Sequence, residues 1–151
     1  MKSTKIATDY FDYIDIDAID NKRNIVLKPK YMSKNSAPSR ASRKLHEGDV
    51  IFSIVRPYLK NIALITKEYE HCIASTGFYI CTPNSMLNTE YLYYFLLSPY
   101  CIDSVMPYMK GDNSPSIKGS DLENVLIGIP SIKEQERIVY KIKNLYNQII
   151  N

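Results

Sequence analysis

Gly48-Asp49-Val50-Ile51-Phe52-Ser53-Ile54-Val55-Arg56-Pro57-Tyr58-Leu59-Lys60-Asn61-Ile62-Ala63 is the stretch that decides the fold. Gly48-Asp49 is a turn pair. Val50 to Val55 is a short apolar run bounded by turn signals, the pattern of a buried strand. Pro57 breaks it, because proline cannot donate to a ladder. Ile62-Ala63-Leu64-Ile65 then resumes as a second strand. The centre of the chain is therefore β structure.

On the N-terminal side, Tyr13-Ile14-Asp15-Ile16-Asp17 alternates apolar and acidic residues and reads as a strand with one wet face. Asp20 to Asn24 is a turn cluster, and Ile25-Val26-Leu27 returns as a second strand of a hairpin that Pro29 ends. Ser33 to Lys44 is polar, contains Pro38 and lacks periodicity, so it reads as a loop excursion.

On the C-terminal side, Ile73 to Thr82 is a strand region that Gly77 interrupts, as a bulge or a close approach, and Pro83 stops. Asn88 or Thr89 caps a helix through Leu97 that is apolar all round and so buried. Pro99 breaks it, and Tyr100 to Met109 follows as a second short helix. Residues 110–120 are a Gly-, Pro- and Ser-rich loop, and Val125 to Ile129 reads as a short strand closed by Pro130. Ser131 and Glu134 form the S-x-x-E capping box of the last helix. Ile138, Ile142, Leu145 and Ile149 recur along it at spacings of four, three and four, the narrow seam of a coiled coil. Val139, Tyr146 and Ile150 widen the seam. Such a helix lies on its own domain or pairs with another long helix. Pairing is favoured, since the seam is still running at Asn151. The fold class is α+β. A compact β-rich domain with buried short helices spans 1–130, and an amphipathic, coiled-coil-type helix spans 131–151.

The 151 residues form one domain's length and need no disulfide to fold. With 45% hydrophobic and 23% charged residues, the composition excludes a disordered chain. No apolar run approaches the ~18 residues of a membrane span. Met1-Lys2-Ser3-Thr4-Lys5 leads into no signal-peptide core, so the expected location is the cytoplasm. Cys72, Cys81 and Cys101 cannot all pair within one chain, and none sits in a C-x-x-C unit. Three reduced thiols and no metal are expected. Net charge is only +3, but residues 28–60 carry eight bases against Glu47 and Asp49. A basic segment in a nearly neutral chain is the footprint of a polyanion-binding surface or of a solvated charged face.

Catalysis finds little support. The sequence has no G-x-S-x-G, no H-E-x-x-H and no glycine-rich phosphate loop. Asp9, Asp12, Asp15, Asp17 and Asp20 lack the spacing of a calcium loop and read as a solvated strand face. Asp20-Asn21-Lys22, a nuclease-like triplet, lies in a turn. Ser98-Pro99-Tyr100 lacks the second proline of the amino-methyltransferase S-P-P-Y element. Binding is what the residues offer.

Several blocks, in order, resemble the target recognition domain of the specificity (S) subunit of type I restriction-modification systems. They are Tyr13-Ile14-Asp15-Ile16, Ala37 to Arg43, Gly48 to Ser53, Val55 to Ala63, Ala74-Ser75-Thr76-Gly77-Phe78, Tyr91-Leu92-Tyr93-Tyr94, Ser114 to Ile117, Ser120-Asp121-Leu122 and Ile129 to Val139. The last is similar to the family's P-x-x-x-x-E-Q-x-R-I-V segment, where the domain hands over to its long helix. Family domains usually carry a further N-terminal stretch, and a complete subunit has two domains and two long helices. A half-size subunit or part of a longer one is therefore expected.

The resemblance implies no active site and no cofactor in this chain. It implies sequence-specific reading of one half of a split double-stranded DNA target. Modification (M) subunits, which bind S-adenosylmethionine, and in some systems restriction (R) subunits, are the implied partners. A homodimer through the C-terminal helix is a further expectation, with Ile138, Ile142, Leu145 and Ile149 as its contacts.

Base contacts are expected from Ser39, Arg40 and Arg43 on the first polar excursion and from Lys110, Asn113, Ser114 and Ser116 on the second. Lys34, Lys44 and Lys60 are expected on phosphates. If about six of the bases in residues 28–60 reach phosphates, log K falls with log salt at a slope near −5. Arg56 is alternatively an ion-pair partner for Glu47 or Asp49. Two other classes stand beside this one. A single-strand or RNA module would stack bases on the 13 tyrosines, although most lie in apolar contexts that suggest core packing. A protein-interaction module would use the terminal helix alone.

Overall fold

The computed structural model describes residues 5–150, with side chains through Ile149. Met1 to Thr4, most of the stretch read for a signal peptide, and Asn151 lie outside the described residues. So does the side chain of Ile150.

The decisive stretch folds as read. β6 (Val50–Ser53) is the middle strand of an antiparallel sheet between β7 (Ile62–Leu64) and β9 (Phe78–Cys81). All four β6 residues are buried, because both sheet faces are covered. Ile51 points into one core with Ile14, Leu45, Ala63, Ile65 and Phe78. Val50 and Phe52 point into another with Ile62, Leu92, Leu96, Ile102 and Val105. A strand buried on two faces reads as a continuous apolar run, which is what made it legible.

The second sheet has the order β4-β1-β8-β5. β1 (Tyr10–Ile14) pairs antiparallel with β4 (Lys30–Ser33) and parallel with β8 (Ile73–Ser75). β5 (Ala41–Lys44) closes the other edge, with a bulge between Ala41 and Arg43. A small hairpin, β2 (Ile19–Asp20) with β3 (Ile25–Val26), pairs with neither sheet but puts Ile19 and Val26 into the first core.

Four sequence readings are corrected here. Ile25–Val26 does not form a hairpin with the first strand: it pairs with Ile19–Asp20, and β1 pairs with β4, beyond Pro29. The strand placed at Tyr13 to Asp17 lies earlier, at Tyr10–Ile14. Asp15 ends it by accepting the Ile16 N–H at 2.8 Å and capping a 3-10 turn. The excursion at 33–44 is shorter than read, because Ala41–Lys44 is strand; its bulge hides the alternation that would mark it. Val125 to Ile129 forms no strand. No neighbouring strand offers it a ladder, and Leu126 is 80% exposed.

The helices close the second core. α1 (Thr89–Leu97) is capped by Asn88, whose Oδ1 accepts the Tyr91 N–H at 3.0 Å. α2 (Pro99–Val105) begins at Pro99 and ends in a 3-10 turn containing Pro107. α3 (Gly119–Glu123) is tied to β9 by Tyr79, which donates to Glu123 at 2.6 Å. Burial, then that carboxylate, pushes the Tyr79 phenol up to about 12.

α4 (Ile132–Ile150) begins with half of the expected capping box. Ser131 Oγ accepts the Glu134 N–H, but the Glu134 carboxylate turns to Arg137, at 2.6 and 2.8 Å. The helix docks on α1 through Gln135, Val139 and Tyr146, which stacks on Tyr94 with centroids 6.1 Å apart. Lys143 pairs with Glu90 on the same side. The seam residues sit about one position round the helix from this face. Ile138 and Ile142 are half-buried, while Leu145 and Ile149 are 52% and 82% exposed. The reading of a helix lying on its own domain holds for one face, and Leu145 on a second apolar face is open.

Tyrosine departs from the reading as core. Only Tyr13 is buried, and seven of the thirteen are exposed, because a phenol hydroxyl keeps its water at sheet edges and helix ends. No described helix is long and apolar enough to cross a membrane.

Candidate nucleic-acid interface

Gly77 lies on the short link between β8 and β9, where the chain leaves one sheet for the other. Backbone hydrogen bonds gather distant loops around it. The Thr76 N–H donates to Arg40 O at 2.8 Å, and the Ile54 N–H donates to Gly77 O at 2.9 Å. The Ile117 N–H donates in turn to Ile54 O at 2.9 Å. The first polar excursion, the end of β6 and the 110–117 loop thus meet at one place.

The reading of Gly77 as a close approach holds. A Cβ there would lie 2.5 Å from Arg40 Nη2 and 3.2 Å from Ile16 Cδ1. The Arg40 guanidinium lies over the bare glycine backbone, and a side chain would occupy its place.

The second excursion is a pinched hairpin. Lys110 and Ser116 exchange both backbone hydrogen bonds at 2.9 Å, and Gly111 turns the chain at φ +106°. Arg56 holds its tip. The Arg56 N–H donates to Pro115 O at 2.8 Å, and Nη2 donates to Asn113 O at 2.5 Å. The ion pair of Arg56 with Glu47 or Asp49 does not form. Asp49 is buried and accepts from the His46 N–H at 2.8 Å and Thr82 Oγ1 at 2.7 Å.

Arg56 and Lys60 bracket a 3-10 turn, Pro57–Leu59, and both adopt left-handed backbone, at φ 46° and 52°. Each costs a non-glycine residue about 1 kcal/mol. The hydrogen bonds of Arg56 to the hairpin offset that cost, as does Asn24 Nδ2, which donates to Lys60 O at 2.7 Å.

These segments wall a cleft of about 680 Å³ lined by Arg40, Arg56, Asn61, Ser114, Ser116 and the acids Asp15 and Asp17. Ser116 also lines a neighbouring recess of about 240 Å³ with Lys110 and Lys118. Asp17 is paired with Lys30 at 2.5 Å. No tyrosine lines the cleft among the described residues.

Of the residues expected on DNA, Arg40, Ser114 and Ser116 share this cleft, Ser39 precedes Arg40, Asn113 anchors Arg56, and Lys110 stands at the adjoining recess. Lys34, Arg43, Lys44 and Lys60 do not line it. Lys34 stands on an exposed 3-10 turn after β4. Arg43 is half-buried in β5, and Lys44 lies at the far end of that strand, about 13 Å from Arg40 at strand rise. Lys60 is half-buried. Sequence reasoning missed Asn61, Asp15 and Asp17 as cleft residues, and gave Arg56 the wrong partner. The available signal was Arg56-Pro57, a charged residue where a buried strand ends and a turn begins.

The profile of the family described as Type I restriction modification DNA specificity domain matches residues 2–151. The specificity subunit of type I restriction enzyme HindI, from Haemophilus influenzae, is 21% identical over 143 residues, which are 93% of this chain and 31% of that protein. The EcoDI specificity subunit of Escherichia coli is 26% identical over 106 residues, 70% of this chain and 23% of the relative. The crystal structure of the HsdS subunit from Thermoanaerobacter tengcongensis is similar with a TM-score of 0.85 at 37% identity, covering 93% of this chain and 36% of that one. A chain from a study of complex assembly and conformational transition in the type I R-M system gives the same values. The chain thus spans 23–36% of the length of these relatives. Since the family profile runs over almost every residue, and the solved relative shares the arrangement of sheets and terminal helix, the chain belongs to the type I restriction modification DNA specificity domain family.

Proposed function

We propose that the chain binds double-stranded DNA in a sequence-specific manner, as the specificity component that reads one half of a bipartite target. The convergence of Arg40, Arg56, Ser114 and Ser116 on one cleft, from three separate segments, carries this reading. The cleft is too small to take in a duplex. The loops that wall it are the parts that fit a major groove about 12 Å wide. Arg40 forks onto guanine O6 and N7, Asn113 reaches adenine, and the two serines accept or donate. Asp15 offers an acceptor for a cytosine amino group, which gives an acid a place in a DNA-facing cleft. A single-strand reader needs a platform of aromatics along its groove; among the described residues the cleft lining holds none, and the adjoining recess holds one, Tyr108.

Phosphate contacts come from Arg56, Lys110 and Lys118 around the two recesses, with Arg40 where it does not reach a base. Lys30 is neutralised by Asp17, and Lys44 stands away from the cleft. On the target, with Arg40 on guanine, about three contacts replace the six expected from the sequence, so log K falls with log salt at a slope near −3. Fluorescence anisotropy across a salt series measures it. A slope near zero would instead favour a protein-interaction module working through α4.

Catalysis belongs to partner M subunits carrying S-adenosylmethionine, and where present to R subunits, in the cytoplasm. The open face of α4 is the surface for a second helix, in a partner subunit or a second copy of this chain. Leu145→Lys weakens that association while leaving the docked residues Val139 and Tyr146 unchanged; Ile149 is left in place because it lines the cavity between α4 and α1 with Tyr93, Tyr94 and Tyr146. Sedimentation equilibrium is expected to show self-association, or capture by an M subunit, in the parent chain and less of either in the variant. Sequencing of methylated bases in the host, with and without the gene, tests the whole proposal: one bipartite motif is expected to lose its methylation.

A further inference from the structure

Asp12, His71 and Cys72 line a separate recess and not the cleft. They come together because β1 and β8 are parallel neighbours in the register Tyr13↔Ile73, which sets Asp12 beside the turn that carries His71 and Cys72. One ligand atom from each lies within 4.8 Å of the other two. His71 Nε2 is 2.9 Å from Asp12 Oδ2, and Cys72 Sγ is 3.9 Å from the same nitrogen. These two distances bracket the roughly 3.5 Å between donors on a tetrahedral ion. Glu68 lines the same small recess, about 200 Å³ in volume, and offers a fourth donor. Cys72 closes the site from the core side, where it is 1% exposed, and His71 opens it to solvent.

We propose that Asp12, His71 and Cys72, with Glu68 or a water in the fourth position, bind one zinc ion. An imidazole, a thiol and a carboxylate are a mixed nitrogen, sulfur and oxygen set, which suits a borderline-soft divalent ion and not calcium or magnesium. Zinc bonds His71 through Nε2, and the ring's single proton sits on Nδ1. Cys72 gives its thiol proton to solvent as the sulfur–zinc bond forms. Binding is accordingly weaker at lower pH.

The ion has a structural use. The β1–β8 pairing is a parallel ladder only two residue pairs long. β8 leads directly to Gly77, so a staple at its entry fixes the strand that seats Arg40. Sequence spacing could not show the site, because Asp12 stands 59 residues before His71.

The test is direct titration of the metal-free full chain with zinc against a chromophoric chelator, followed by substitution with cobalt(II). One equivalent of zinc is expected per chain, with affinity at least tenfold weaker in His71→Ala and in Cys72→Ala. Cobalt is expected to give a thiolate charge-transfer band that Cys72→Ala abolishes. Zinc is also expected to raise the urea midpoint of the parent chain and not of His71→Ala. Equal zinc affinity in parent and His71→Ala, or a cobalt complex without the thiolate band, overturns the proposal. His71 is exposed, so its variant folds and decides the matter even where Cys72→Ala does not.

Discussion

Arg40→Ala weakens binding to the target duplex by ten- to a hundredfold, and Gly77→Ala weakens it severalfold without unfolding the chain. The first figure follows from one bidentate contact to guanine, worth about 1–3 kcal/mol. The second follows from space. A Cβ at Gly77 would meet the Arg40 guanidinium at 2.5 Å, and that group is the far end of a flexible side chain that can swing aside. Fold stability therefore changes little, while the guanidinium leaves the position over the β8–β9 link. Lys44→Ala, at the far end of β5, is expected to change affinity less than twofold. Anisotropy titrations of the three variants, with their urea midpoints, measure these effects. If Arg40→Ala and Lys44→Ala bind alike, the cleft is not the reading surface.

The contrast between Arg40 and Lys44 also shows what the sequence could and could not convey. Both belong to one basic segment, and their charge alone does not separate them. Their separation depends on a strand that begins at Ala41, and its bulge hides the period. β6 was legible because burial on both faces writes itself as an apolar run, and α4 because its period is long and regular. Val125 to Ile129 has the composition of a strand, but a ladder needs a neighbour, and neighbours are a property of the whole fold. Arg56 was visible as a residue of interest. Its partner was not, because the Asn113 carbonyl stands 57 residues away on a loop whose path is set by Gly111 and the Lys110–Ser116 pinch. Long-range backbone bonds leave no periodic trace, and this cleft is built from them.

Gln135→Ala lowers the free energy of unfolding by about 3 kcal/mol, through the loss of several hydrogen bonds and the unpaired buried groups left behind. Gln135 is fully buried, which is rare for a glutamine. Its Oε1 accepts the Asn88 N–H at 2.7 Å, and its Nε2 donates to Met86 O and Pro130 O, both at 2.9 Å. One side chain therefore ties the entry of α1, the loop before it and the start of α4 together. The amide's own two-sided chemistry is what the site requires, since one end must accept and the other must donate. Gln135→Glu tests this separately. A carboxylate there faces two carbonyl oxygens and is forced towards its protonated form, so its folded pKa rises above the unfolded value of about 4.3. The sign follows: the variant keeps its stability below that value and loses it as pH rises through the folded pKa. Urea unfolding at pH 4 and pH 8 is expected to show Gln135→Glu losing stability relative to the parent chain across that interval, and Gln135→Ala losing a similar amount at both. A glutamate variant whose deficit does not grow with pH would mean that the amide's donor end is dispensable. The helix would then be held to the domain by Val139, Tyr146, the Lys143–Glu90 pair and the acceptor end of that side chain.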